Sequence, residues 1–110
     1  MSRPTRLRLL SDHIDIVWSA AAVADASRKE GEPLYGLYHD GQITIDPDVR
    51  HVRDTLLHET LHALIAQTGL SEGSGPLSGD AEEQVVRALT PLLLHVLREN
   101  PKLIQFLVER

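Results

Sequence analysis

TLLHETLHAL, residues 55–64, contains no glycine or proline, and its apolar residues recur at helical spacing. At about 100° per residue, with Leu57 set at 0°, Leu61 lies near ~40°, Leu64 near ~340° and Ile65 near ~80°. This stripe is expected to face a core. His58 and His62 fall near ~100° and ~140°, at the edge of the stripe, and Glu59 near ~200°. Imidazoles four residues apart lie one above the other on a helix, so both can reach one metal ion. Zinc suits neutral imidazole nitrogen and tolerates an open coordination position. Glu59 is rotated away from the two histidines. It is placed to flank such an ion and take a proton from an activated water.

Moving outward, Asp46–Pro47 is expected to open this helix, with Asp46 as N-cap and Pro47 at the first helical position. The helix should run to about Thr68, with Gly69 as C-cap. Upstream, LYGLYH (34–39) and QITID (42–46) flank Asp40–Gly41, a strong hairpin signal. RLRLL (6–10) and IDIVW (14–18) read as strands joined by a turn at Ser11–Asp12–His13, with Trp18 in the core. Residues 19–30 read as a short helix capped by Ser19. GLSEGSGPLSG (69–79) is a loop, after which Ser78 or Asp80 caps a second long helix. Thr90–Pro91 should kink that helix, Asn100–Pro101 should end it, and KLIQFLVER forms a short amphipathic tail. The order implies one α+β domain over 1–110, an antiparallel or mixed sheet with helices on one face.

Composition narrows the function classes. Lys plus Arg is 11 against Asp plus Glu 16, a net charge of −5, which argues against nucleic acid as a partner. There is no cysteine, so disulfides, thiolate metal sites and cysteine nucleophiles are excluded. No apolar run approaches the ~18 residues of a membrane span, and the N-terminal segment lacks a signal-peptide pattern. A cytoplasmic protein is expected. Six histidines are many for 110 residues and point to metal chemistry.

A catalytic zinc site needs a third protein ligand. His51 shares the helical face but lies ~10.5 Å from His58 along the axis, too far to share an ion. His13, His39 and His95 remain open on sequence alone. The Glu82–Glu83 pair is the better candidate. In the second long helix Val85, Val86, Leu89, Leu92, Leu93, Val96 and Leu97 define an apolar stripe. With Val85 at 0° the stripe centres near ~45°, placing Glu82 (~60°) inside it and Glu83 (~160°) outside. A carboxylate in an apolar stripe needs neutralising, which a zinc ion would do. Glu82 is therefore the preferred ligand and Glu83 the alternative. A loop as long as 69–79 can return the second helix antiparallel, with its first turn beside His62.

The His58–Glu59–x–x–His62 motif with a later helical glutamate resembles the gluzincin metallopeptidases. It is closest to minimal members of that group: the minigluzincins, the ImmA/IrrE-like proteins and short phage-type relatives. The similarity covers about residues 34–98. EEQVVRAL (82–89) departs from the ImmA/IrrE pattern E-x-x-A-N-x-F-A, so Glu82 and Glu83 both stay open. The resemblance implies a zincin-like fold, one Zn²⁺ per chain on His58, His62 and Glu82 (or Glu83), and Glu59 as general base. It also implies a peptide or protein substrate. An extended substrate would add as a strand to a sheet edge, with 42–46 as the candidate edge. Tyr35, Tyr38 and His39 are candidates to stabilise the transition state, beside the plainer reading of strand packing and a turn histidine. The alternative function is a catalytically silent or latent zinc-stabilised regulatory module of phage type. Such a module would act on a DNA-binding protein, since this chain shows no helix-turn-helix or basic surface. The tail residues Leu103, Ile104, Phe106 and Leu107 are read as core or a homodimer contact, or as a segment lying over the cleft.

Overall fold

The fold is taken from a computed structural model that describes residues 2–9, 12–73 and 75–110, so Leu10 and Ser11 of the expected first strand and turn lie outside it. Asp40 and Gly41 both take positive φ, 49° and 74°, the geometry of a two-residue hairpin turn. They fold β3 (Gly36–His39) antiparallel onto β4 (Gln42–Ile45), with His39 opposite Gln42 and Gly36 opposite Ile45. On its other side β4 pairs in parallel with β2 (His13–Trp18), from Asp15↔Gln42 to Trp18↔Ile45. The short β1 (Arg6–Arg8) adds antiparallel to β2. The result is a mixed four-stranded sheet of order β1-β2-β4-β3. The expected edge, 42–46, is therefore an interior strand. Ile43, Thr44 and Ile45 are all buried, because both faces of β4 are covered. The edge on that side is β3.

Parallel strands need a crossover, and α1 (Ala20–Glu30) lies within it. Ser19 caps α1 through its Oγ, which accepts from the Ala22 N–H at 3.1 Å. Ala22 and Ala26 line a hollow with Leu37, the cross-strand partner of Thr44. The opposite face carries Ile14, Ile16, Ile43 and Ile45, which meet Val52, Leu56 and Ala63 of α2 (Val52–Thr68). Helices thus cover both faces, not one as expected, because the crossover places α1 opposite α2.

Helix α2 begins at Val52 rather than Pro47. Asp46 closes a local turn instead, its Oδ1 accepting from the Asp48 N–H at 2.9 Å. The face α2 turns to the sheet is Val52, Leu56, Glu59 and Ala63, and the expected core residue Leu64 is 40% exposed. Gly36 lets α2 cross tightly over β3, since a Cβ there would stand 2.9 Å from Thr55 Cγ2. Small residues on the two sides of this packing, Gly36 at the crossing and Ala63 against the isoleucine cluster, permit the close approach of this face.

Helix α3 (Gly79–Glu99) starts under Ser78, whose Oγ accepts from the Ala81 N–H at 3.1 Å, and it continues through Pro91. Thr90 Oγ1 donates to the Val86 carbonyl at 2.7 Å. After Asn100 the tail forms α4 (Pro101–Val108), which packs on α3 and buries none of its residues. The expectation of a core tail is thus corrected. Trp18 is half-buried at the edge of the core, its Nε1 donating to the Pro4 carbonyl at 2.7 Å. Among the described residues no helix is long and apolar enough to cross a membrane.

Candidate metal centre

Helix α2 stacks His58 and His62 one turn apart, with ring centroids 4.9 Å from each other. The loop after Gly69 returns the chain so that the first turn of α3 faces them. There one carboxylate bridges both rings. Glu83 Oε1 lies 3.0 Å from His58 Nε2, and Glu83 Oε2 lies 3.0 Å from His62 Nε2. Each of the three residues offers a ligand atom within 4.8 Å of the others, a group that could hold a metal ion. Glu82 takes the opposite side of the same imidazole. Its Oε2 sits 2.6 Å from His62 Nδ1, and its Oε1 accepts from Ser71 Oγ at 2.9 Å. The side chains of His62 and Glu82 are 15% and 16% exposed, against 38% for Glu83.

The preferred third ligand, Glu82, is thus the group that orients His62, and the alternative Glu83 is the one gathered with both Nε2 atoms. The apolar residues of α3 belong to two faces, one buried and one exposed. The buried residues are Val86 and Thr90, whereas Val85, Leu89, Leu92, Val96 and Leu97 are exposed. On the same wheel the buried face centres near ~120°, between Glu82 and Glu83, so the two carboxylates straddle it.

These side chains open on a cleft of about 780 Å³ walled by β3, α2 and α3. Glu59 also lines it, yet is only 8% exposed. Burial pushes its carboxyl up from 4.5 to about 7, against the pull of His62 and a hydrogen bond from the Tyr38 backbone, with Glu83 adding to the rise. Burial also lowers the pKa of His58, opposed by the Glu83 carboxylate and reinforced by His62 and Arg87. A neutral imidazole is the ligating form.

The other candidates separate. Tyr35 and Tyr38 line the cleft; Tyr35 is 60% exposed there, while Tyr38 also packs against the core. His39 is not at the cleft. It is exposed at the hairpin tip, its Nε2 3.1 Å from Asp40 Oδ2, and so is the turn histidine of the plainer reading. His13 lies beside Asp15 on β2, His51 is exposed just before α2 and His95 is exposed on α3, all apart from the cluster. No residue beyond Pro91 lines the cleft, so α4 does not cover it. Sequence reasoning missed Arg87. Its Nη2 is 3.6 Å from Glu83 Oε1, and the four-residue spacing on one helix was the available signal. Comparison with protein-family models, with curated proteins and with solved structures found no match.

Proposed function

We propose that this chain is a zinc-dependent peptide hydrolase of zincin-like architecture, with His58, His62 and Glu83 as metal ligands and Glu59 as general base. One observation carries the reading: a single carboxylate spans the Nε2 atoms of two histidines on adjacent helical turns, 3.0 Å from each. Two imidazoles and a carboxylate, with the far nitrogen of one imidazole held by a second carboxylate, form the donor set of an open zinc site. Bound zinc would supply a Lewis acid that acidifies water and polarises a carbonyl.

The remaining roles fall to the protein. Glu59, with its carboxyl near 7, accepts a proton from water at neutral pH and returns it to the leaving amine. Tyr35, exposed on the cleft wall, is the candidate hydrogen-bond donor to the developing oxyanion. The edge strand β3 replaces 42–46 as the strand to which an extended peptide would add. Glu82 holds His62 in the tautomer that leaves Nε2 free to ligate.

The test is metal content by elemental analysis, in wild type, Glu83→Ala and Glu82→Ala. One zinc per chain is expected in wild type and loss in Glu83→Ala. Glu82→Ala should retain the site with roughly 10–100-fold weaker affinity. No metal in wild type after zinc reconstitution would overturn the reading. Hydrolysis of a denatured protein substrate is then compared between wild type and Glu59→Gln. A fall of roughly 10²–10⁴-fold with zinc retained is expected of a general base. Zinc binding without hydrolysis in wild type would assign the chain to a zinc-stabilised regulatory module.

A further inference from the structure

Of the five large apolar side chains that α3 leaves exposed, four follow a rule, and Leu97 lies apart from them. Val85, Leu89, Leu92 and Val96 are 39%, 47%, 64% and 39% exposed, and they are spaced four, three and four residues apart. That is the seam spacing by which one helix packs against another along its length. The seam lies on the side of α3 away from Glu83, Arg87, Thr90 and Pro91, which face the cleft. Helix α4, packed on α3, also leaves Leu103 and Phe106 exposed, at 42% and 74%.

We infer that this face joins two copies of the chain in a two-fold dimer, α3 against α3, leaving both clefts open. Three observations favour a second copy as the occupant. First, the spacing calls for a helix, and the same seam on another molecule supplies one; a two-fold axis makes the patch its own complement. Second, the chain has a net charge of −5, so like copies repel in general. From Gln84 to Leu97, however, the only formal charge is Arg87, on the cleft side, so the seam meets itself without like-charge conflict. Third, the four seam side chains expose on the order of 300 Å², the size of an apolar patch that is often functional on a monomer and enough to form the apolar centre of an interface to which each partner gives ~800 Å².

The experiment is light scattering coupled to size exclusion on the full chain, with Leu92→Glu and Val85→Glu alongside. The parent should run at twice 12.2 kDa and both variants at the monomer mass. Circular dichroism should stay at the parental value in both variants, and zinc content in Leu92→Glu, which lies nine residues beyond Glu83. Because the chain has no cysteine, Leu92→Cys gives a second measure that does not depend on breaking the dimer. Mild oxidation should convert it to a disulfide-linked dimer, while Glu30→Cys on α1 stays unlinked. A monomeric parent at tens of micromolar would overturn the inference and leave the face to a different partner. So would a dimer that survives both charge substitutions, or equal cross-linking of the two cysteine variants. A monomer that binds zinc sinks only the dimer; a dimer without zinc sinks only the metal reading.

Discussion

Glu59 occupies the face of α2 that packs on the sheet, where ionisation is opposed by burial and by the nearby Glu83. Its carboxyl is raised from 4.5 to about 7, so the fold favours the neutral acid. Stability from that preference is fully present below the ordinary carboxyl value and is lost as pH rises through about 7. In metal-free protein, Glu59→Gln should therefore match wild type near pH 4 and exceed it near pH 8 by about 2 kcal/mol, read by urea unfolding at each pH. With zinc bound, the cation favours the carboxylate and the gap should shrink. An equal gap at both pH values would mean that Glu59 is solvated. The sequence showed the chemistry of this residue but not its place. The wheel put Glu59 opposite the leucine stripe expected to face the core, whereas packing chose the face with Ala63. His58, Glu59 and His62 were legible because four-residue spacing alone sets their relation. That Glu83 and not Glu82 would be the carboxylate gathered with both Nε2 atoms was not, because the apolar residues of α3 serve two surfaces and the wheel averages them.

At the scale of elements, local chemistry fixed what it controls. Ser19 and Ser78 cap the helices assigned to them, and Asp40–Gly41 makes the hairpin. The position of β4 was not local information. QITI alternates like an edge strand, yet its parallel partner β2 lies 27 residues earlier in register, at Asp15↔Gln42. The crossing of α2 over β3 yields a sharper test. At Gly36 an added Cβ would stand 2.9 Å from both Ile45 Cδ1 and Thr55 Cγ2, and 3.1 Å from the Thr44 carbonyl. Ile45 is fully buried and has nowhere to move. Gly36→Ala should cost about 1–3 kcal/mol by forcing helix and strand apart. Adding Thr55→Ser removes one of the clashing methyls and should restore part of the loss, a coupling readable in a double-mutant cycle. Gly41→Ala is the comparison: its φ is 74° but no atom lies within 4 Å, so its cost is conformational, about 1 kcal/mol, and indifferent to Thr55. Additive effects of Gly36→Ala and Thr55→Ser would refute the close crossing.

The whole molecule is unevenly held together. Among the described residues the buried apolar ones are Ile14, Ile16, Val23, Ile43, Ile45, Ala63 and Val86, and of these Val86 alone belongs to α3 or α4. The Cα radius of gyration is 14.6 Å, above the ~13 Å of a compact chain this long. The C-terminal helices thus meet the rest of the molecule chiefly through α2, by a contact whose one fully buried apolar residue on their side is Val86 and by the His58–His62–Glu82–Glu83 cluster. A metal held by ligands from two helices adds its binding free energy to the folded arrangement that brings them together. Zinc binding across α2 and α3 should then act mainly on that junction. At free zinc 100 times the dissociation constant, linkage stabilises the native state by about 2.7 kcal/mol. For a domain of this size that corresponds to a rise in Tm of roughly 10–20 °C, reversed by a chelator. The distribution of the gain is the more telling measurement. Hydrogen exchange should show protection in α3 rising strongly with zinc, while β2 and β4, already inside the isoleucine core, change little until global unfolding dominates. Uniform protection throughout the chain would mean that α3 is as firmly joined as the sheet without metal. No change in Tm on adding zinc would mean that the cluster closes on itself through its own ion pairs, with no role for a metal in holding the two halves together.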